Sequence, residues 1–144
     1  MVLLLLPRKA FFVFNSGNQA SGIDGTLSFI DEKTETVSNN VFETTNERKL
    51  GSTVQDGVIL GNNLYIAVSK SNTIEVVNKN TLVSVVQIVP TPAQGNTPRD
   101  IVTDGKYVYV SMYTGVVSRI DPSTNTIDKT VAVGPNPEEM VIVN

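Results

Sequence analysis

Short apolar runs rich in β-branched and aromatic residues fill the chain, and each is closed by Gly, Asn, Asp or Pro. Runs of about four to eight such residues read as strands, and the punctuation between them reads as turns. Predicted strands therefore cover residues 55–60 and 99–104, 64–69 and 108–113, and 82–89 and 127–133. The turns between them are of the type Gly61-Asn62, Asp104-Gly105, Asn78-Lys79-Asn80 and Asp121-Pro122-Ser123. No stretch sustains a helical period. Apolar residues fall on both faces of several strands, as at Val76-Val77 and Val116-Val117, the pattern of small sheets covered on both sides.

The runs recur. GTLSFID ends at Asp31, NTIEVVN at Asn78 and GVVSRID at Asp121, spaced by about 45 residues. In the same order, FVFN from Phe12, YIAV from Tyr65 and YVSM from Tyr109 precede them. Repeats of about 40–50 residues with four strands each are the signature of β-propeller blades. The expected fold is all-β: about three blades of four antiparallel strands in a single domain, in units of approximately 10–53, 54–97 and 98–144. The first unit supplies only three strands, and residues 138–143 (EEMVIV) are expected to open a further sheet. Residues 1–6 are expected to form a strand before AFFVFN, with the remnant of an export signal as the alternative; they are too few to span a bilayer.

Composition narrows the chemistry. The chain has 144 residues, a formal net charge of -3 and no basic stripe, so nucleic acid is not an expected partner. It has neither cysteine nor histidine, which removes thiolate nucleophiles, disulfides, thiolate zinc sites and Ser-His-Asp triads. The expectation from this is a protein that is not an enzyme, with no catalytic residues, no cofactor and no metal site.

Residues 97–141, TPRDIVTDGKYVYVSMYTGVVSRIDPSTNTIDKTVAVGPNPEEMV, resemble the YVTN-type β-propeller repeat. Pro98, Asp104-Gly105, Tyr109-Val110, Ile120-Asp121, Thr124, Val133-Gly134 and Pro137 stand at the matching places. The preceding unit fits less closely, with Asn78 in place of the aspartate. Residues 14–56 look like the opening of surface-exposed propeller proteins of the Bacteroidetes. The resemblance implies an extracytoplasmic binding propeller, at the cell surface or in the periplasm, whose family ring has seven blades. Some similar propellers capture cobalamin, which makes a corrinoid a concrete ligand, and a surface protein is the alternative partner. Propeller lyases resembling the streptogramin-cleaving type depend on histidine and a metal, and histidine is absent here.

Three blades are fewer than the four to eight or so that close a ring. The chain therefore reads as part of a propeller, either an incomplete gene product or one half of a homodimer. In the dimer, residues 140–143 of one chain pair with residues 12–15 of another to complete a six-bladed ring. Residues 2–6 compete for the same edge.

Several residues are candidates for chemistry. Asp121–Asp128 (DPSTNTID) lacks the alternating acids, central glycine and final glutamate of a calcium loop and reads as an Asx turn, a role that Asp31 and Asn78 repeat. Asp56 and Asp100 are repeat-equivalent and read as hydrogen-bond acceptors between blades. Glu138 and Glu139 are adjacent on an expected strand, so their side chains are expected on opposite faces. Arg119 takes the position of Phe29 and Val76, where its guanidinium needs a partner or solvent. In propellers, the loops between second and third strands and the connections between blades gather at one end. In these loops Asn18, Arg48, Lys70, Arg99 and Tyr113 have the reach for ligand contact, and with Arg119 they form the candidate ligand-binding set.

Overall fold

The computed structural model describes residues 9–144. The strand expected over residues 1–6 lies outside them. Three antiparallel sheets follow one another along the chain. The first holds β1 (Ala10–Asn15), β2 (Thr26–Asp31) and β3 (Thr36–Ser38). The second holds β4 (Val54–Leu60), β5 (Asn63–Val68), β6 (Thr73–Asn78) and β7 (Ser84–Ile88). The third holds β8 (Pro98–Thr103), β9 (Val108–Met112), β10 (Val116–Asp121) and β11 (Thr126–Ala132). In each sheet every strand pairs with the next one in sequence, and the two four-stranded sheets meet along their first strands, β4 against β8.

One turn is built the same way in all three sheets. The Oδ1 of Asp31 accepts from the amides of Lys33 and Thr34, that of Asn78 from Asn80 and Thr81, and that of Asp121 from the amide and hydroxyl of Ser123. These are Asx turns, in which a short polar side chain stands in for a backbone acceptor and reverses the chain. The punctuation read in the sequence is therefore structural.

Two apolar layers hold the sheets face to face. Between the second and third sheets, Tyr65, Ile74, Val76 and Ile88 pack on Ile101, Val108, Val110, Met112 and Ile120. Between the first and second, Leu27, Phe12 and Phe14 pack on Leu64, Ile66, Val68 and Val77. Burying each such side chain contributes about 1.5–3 kcal/mol relative to leaving it in water, which is why both faces of β5 are apolar. Gly57 allows the closest approach, since a Cβ there would collide with the Phe14 ring.

Two elements differ from expectation. Residues Val41–Asn46 form a short helix, α1, although no stretch of the sequence sustains a helical period. Six residues are too few to display a helical period; Phe42, buried in the layer between the first two sheets, holds the turn in place. Residues 138–143 form no strand, because no strand among the described residues pairs with them. Side-chain contacts hold this segment instead: the Met140 amide donates to Asp100 Oδ2 at 2.7 Å and the Ser111 hydroxyl to the Glu138 carbonyl at 2.7 Å.

Candidate functional site

The connections do meet at one end of the sheets. The Gly25 amide donates to the Gly51 carbonyl, Ser69 to Thr53, Lys70 to Ser52, Tyr113 to Thr97 and Val133 to Gly115. Asn72 Oδ1 accepts from the Thr97 amide and Thr114 Oγ1 from the Asn96 amide, so neighbouring sheets are tied together there. These bonds fix the loops against a rigid scaffold.

Among the candidates, only Arg99 and Tyr113 converge. The Arg99 guanidinium lies 5.4 Å from the centre of the Tyr113 ring, which is 40% exposed, and grips Glu138 through two hydrogen bonds of 2.9 and 3.2 Å. Beside this pair a cleft of about 230 Å³ is lined by Gln55, Asp56, Arg99, Asp100, Glu138 and Glu139. These residues occupy three repeats of one place in the sequence: Gln55-Asp56 near the start of β4, Arg99-Asp100 near the start of β8, and Glu138-Glu139 in the segment that follows β11.

Asp56 also joins the second sheet to the third, as expected, and Asp100 holds the segment that follows β11. Asp56 Oδ2 accepts from the Ile101 amide of the third sheet at 3.0 Å, and Asp100 repeats the bond to Met140. Burial and a hydrogen bond from one carboxyl to the other push Asp56 up to about 6, partly offset by the Ile101 and Gly57 amides. Asp56 therefore holds its proton in a range where an isolated aspartate holds none. The expectation that Glu138 and Glu139 point apart is corrected: alternation applies to a strand, and this segment, lacking a ladder, turns both toward the cleft.

Asn18, Arg48 and Arg119 have local partners. Asn18 caps the short 3-10 turn Gln19–Ser21 by accepting from the Ser21 amide. Arg48 neutralises Glu75, which is fully buried, at 2.8 Å, and its guanidinium lies 4.9 Å from the Phe42 ring centre. Lys70 is exposed at the loop end. Arg119 binds Asp128 through bonds of 2.9 and 2.6 Å and stacks 3.9 Å over Tyr107. A β-bulge between Arg119 and Ile120 brings Asp128 within reach, and this pairing holds the Asp128 carboxyl below its ordinary range. The buried Glu75 had no signal in the sequence, since it lies mid-strand between Ile74 and Val76. The cleft did have one: the recurrence of an acid at the head of each first strand. Among the described residues no group of three or more acids, histidines or cysteines is arranged to hold a metal ion, and no helix is long and apolar enough to cross a membrane.

Three successive antiparallel sheets of three, four and four strands, stacked face to face, define the chain as β-propeller-like. It belongs to the family described as "Domain of unknown function (DUF5074)", which matches residues 9–143. No curated protein matches it. Among solved structures it is similar to hydrazine synthase of Kuenenia stuttgartiensis, with a TM-score of 0.58 and 19% identity over 77% of this chain and 30% of that one. Apo AztD of Citrobacter koseri is similar with a TM-score of 0.51 and 18% identity, over 90% of this chain and 33% of that one. Glutaminyl cyclase of Myxococcus xanthus matches at 0.48 and 12%, over 74% and 44%. The chain spans less than half the length of each of these structures, and at these identities the likeness is one of fold.

The expectation that the chain is not an enzyme is corrected by this comparison. The fold is shared with hydrazine synthase, so the architecture does not exclude catalysis. The reasoning from absent histidine fails on physical grounds as well. Proton transfer near neutrality needs a group whose pKa lies near the working pH, and the Asp56 carboxyl, pushed up to about 6, is one without an imidazole.

Proposed function

We propose that this domain is a binding propeller that takes a small ligand at its loop end, with Tyr113 as a stacking platform and the acid-lined cleft as the acceptor of the ligand's hydrogen-bond donors. The observation that carries the reading is the exposed Tyr113 ring set by Arg99 at the rim of that cleft. Four carboxyl groups against one guanidinium favour amide or ammonium donors over anions. A flat ligand bearing such donors satisfies both parts of the site.

A corrinoid, the ligand implied by the resemblance to YVTN-type surface propellers, has this chemistry: a flat macrocycle rimmed by amide groups. The cleft of about 230 Å³ is smaller than the roughly 300–1,000 Å³ of a pocket that encloses a drug-sized ligand. On this reading only the amide rim enters it, while the ring lies on Tyr113. The same resemblance supports a place outside the cytoplasm, where a surface protein is the alternative partner. Calorimetric titration with cyanocobalamin and, separately, with putrescine tests the proposal. Saturable heat with either compound, reduced at least tenfold in affinity by Tyr113→Ala or Asp100→Asn, supports it. The absence of heat from both at millimolar concentration overturns the small-ligand reading in favour of a protein partner.

A further inference from the structure

The last strand of each sheet, β3, β7 or β11, has no strand paired along its outer edge among the described residues. Such an edge is a row of unpaired amides and carbonyls, and folded chains guard it by keeping the strand short or by placing charges on it. β3 has only three residues, and β11 carries Asp128 and Lys129 at its middle. β7 has neither protection.

β7 and β11 are equivalent residue by residue. Val77 pairs with Ser84 and Val76 with Val86, which leaves Val85 as the extra residue of a bulge. Ile120 pairs with Ile127 and Arg119 with Lys129, which leaves Asp128 in the same place. Both strands share the bulge, so charge is what separates them: Val85 and Val86 stand where β11 has Asp128 and Lys129. No charged residue occurs anywhere from 80 to 98. Val85 is 52%, Val86 37% and Val89 63% exposed, an apolar strip along the open edge of the middle sheet.

A slot lies beside this edge. Between β7 and the start of β11, a cavity of about 290 Å³ has Val86, Ile88 and Val89 on one wall and Gln94, Asn125 and Ile127 on the other. It is continuous with the core between the second and third sheets, to which Ile88 belongs and against which Ile127 packs. The polar groups of its wall are engaged: Asn125 Oδ1 accepts from the Tyr65 hydroxyl, Gln94 Nε2 donates to the Ile127 carbonyl, and Gln94 Oε1 accepts from the Thr91 amide. The slot therefore suits apolar side chains. A strand added along β7 sets its alternate side chains over the slot. An open ladder beside a pocket is the arrangement that takes up an extended chain, the backbone giving hold and the pocket selecting side chains.

We infer that β7 is a pairing edge whose occupant is β7 of a second copy, the two strands running antiparallel about a two-fold axis and joining the second sheets of two molecules. The edge and the slot call for an uncharged extended strand with side chains of valine size, and residues 82–89, LVSVVQIV, are such a strand. Antiparallel pairing sets residues directly opposite one another, where like charges repel, and β7 has none to oppose. The contact is isologous, with the same patch used by both copies, and it involves neither β1 nor residues 138–144.

The chain has no cysteine, so single cysteines report this pairing directly. At the two-fold axis one residue of β7 faces its own copy at a separation that a disulfide spans, whereas a residue two places away lies about 13 Å from its copy. Sedimentation equilibrium at micromolar concentration is expected to give wild type at twice the chain mass. Val85→Lys, which places a charge on the edge as β11 does, is expected to be a monomer with unchanged β-sheet circular dichroism. Under mild oxidation, single cysteine substitutions from Val83 to Val89 are expected to cross-link in one peak, with at least tenfold less two residues away and at Val131→Cys in β11. A wild-type monomer overturns the inference, as does a dimer that survives Val85→Lys or cross-linking that is absent from β7 or even along it. The cross-linking pattern decides the question where Val85→Lys fails to fold.

Discussion

Arg48 shows how a side chain chosen for reach can be occupied by folding. Glu75 is fully buried on the face of β6 that meets the first sheet, and Arg48 reaches in from the connection after α1 to neutralise it, with Ser84 and Gln87 binding the remaining lone pairs. Removing the cation strands a buried carboxylate. Arg48→Ala is expected to destabilise the domain by about 2 kcal/mol in urea denaturation, and the double variant Arg48→Ala/Glu75→Gln to recover at least half of that loss. Equal losses in the single and double variants would show that the pairing is incidental. Arg48 was visible in the sequence and its partner was not, because an acid inside an apolar strand ordinarily marks an edge or a solvent face. Arg119 had the opposite legibility: its position in the repeat announced that it needed a partner, and only the bulge in β10 identifies that partner as Asp128.

Strand positions were readable because three repeats repeat the same errors and the same punctuation: an Asx turn at Asp31, Asn78 and Asp121 survives whatever the flanking residues do. Elements fixed by a single tertiary contact were not readable. Helix α1 depends on burying Phe42, and residues 138–143 have strand composition but no strand paired with them among the described residues. Composition describes what a segment can do, and pairing requires a neighbour. Spacing between sheets is set by small residues at the contact, most tightly at Gly57 in β4, where the Phe14 ring occupies the place of a side chain. Gly57→Ala is expected to cost about 1–3 kcal/mol through overpacking. Phe14→Leu combined with it should restore part of the loss, measured as a rise in the denaturation midpoint above that of Gly57→Ala alone; a double variant no more stable than Gly57→Ala would contradict the contact.

At the scale of the molecule, one device does two things. Asp56 fastens the second sheet to the start of the third and Asp100 fastens the segment after β11, and the same carboxyls line the cleft beside Arg99 and Tyr113. The repeat made the fastening legible; the cleft emerges only when three successive first-strand positions are brought together. The raised Asp56 pKa carries a sign. A carboxyl that titrates at about 6 in the folded chain and near 3.8 when unfolded adds stability below pH 3.8, and that contribution is lost as the pH rises through 6. With partial solvent screening the loss is on the order of 1 kcal/mol, and Asp56→Asn, which keeps an acceptor for Ile101 and needs no proton, should remove it. The most direct measurement is a carboxyl carbon-13 NMR titration of the aspartates from pH 3 to 8. The structure predicts a pKa of about 6 for Asp56, with no such titration left in Asp56→Asn. Titration of Asp56 near its ordinary 3.8 would contradict its burial in the cleft between the second and third sheets.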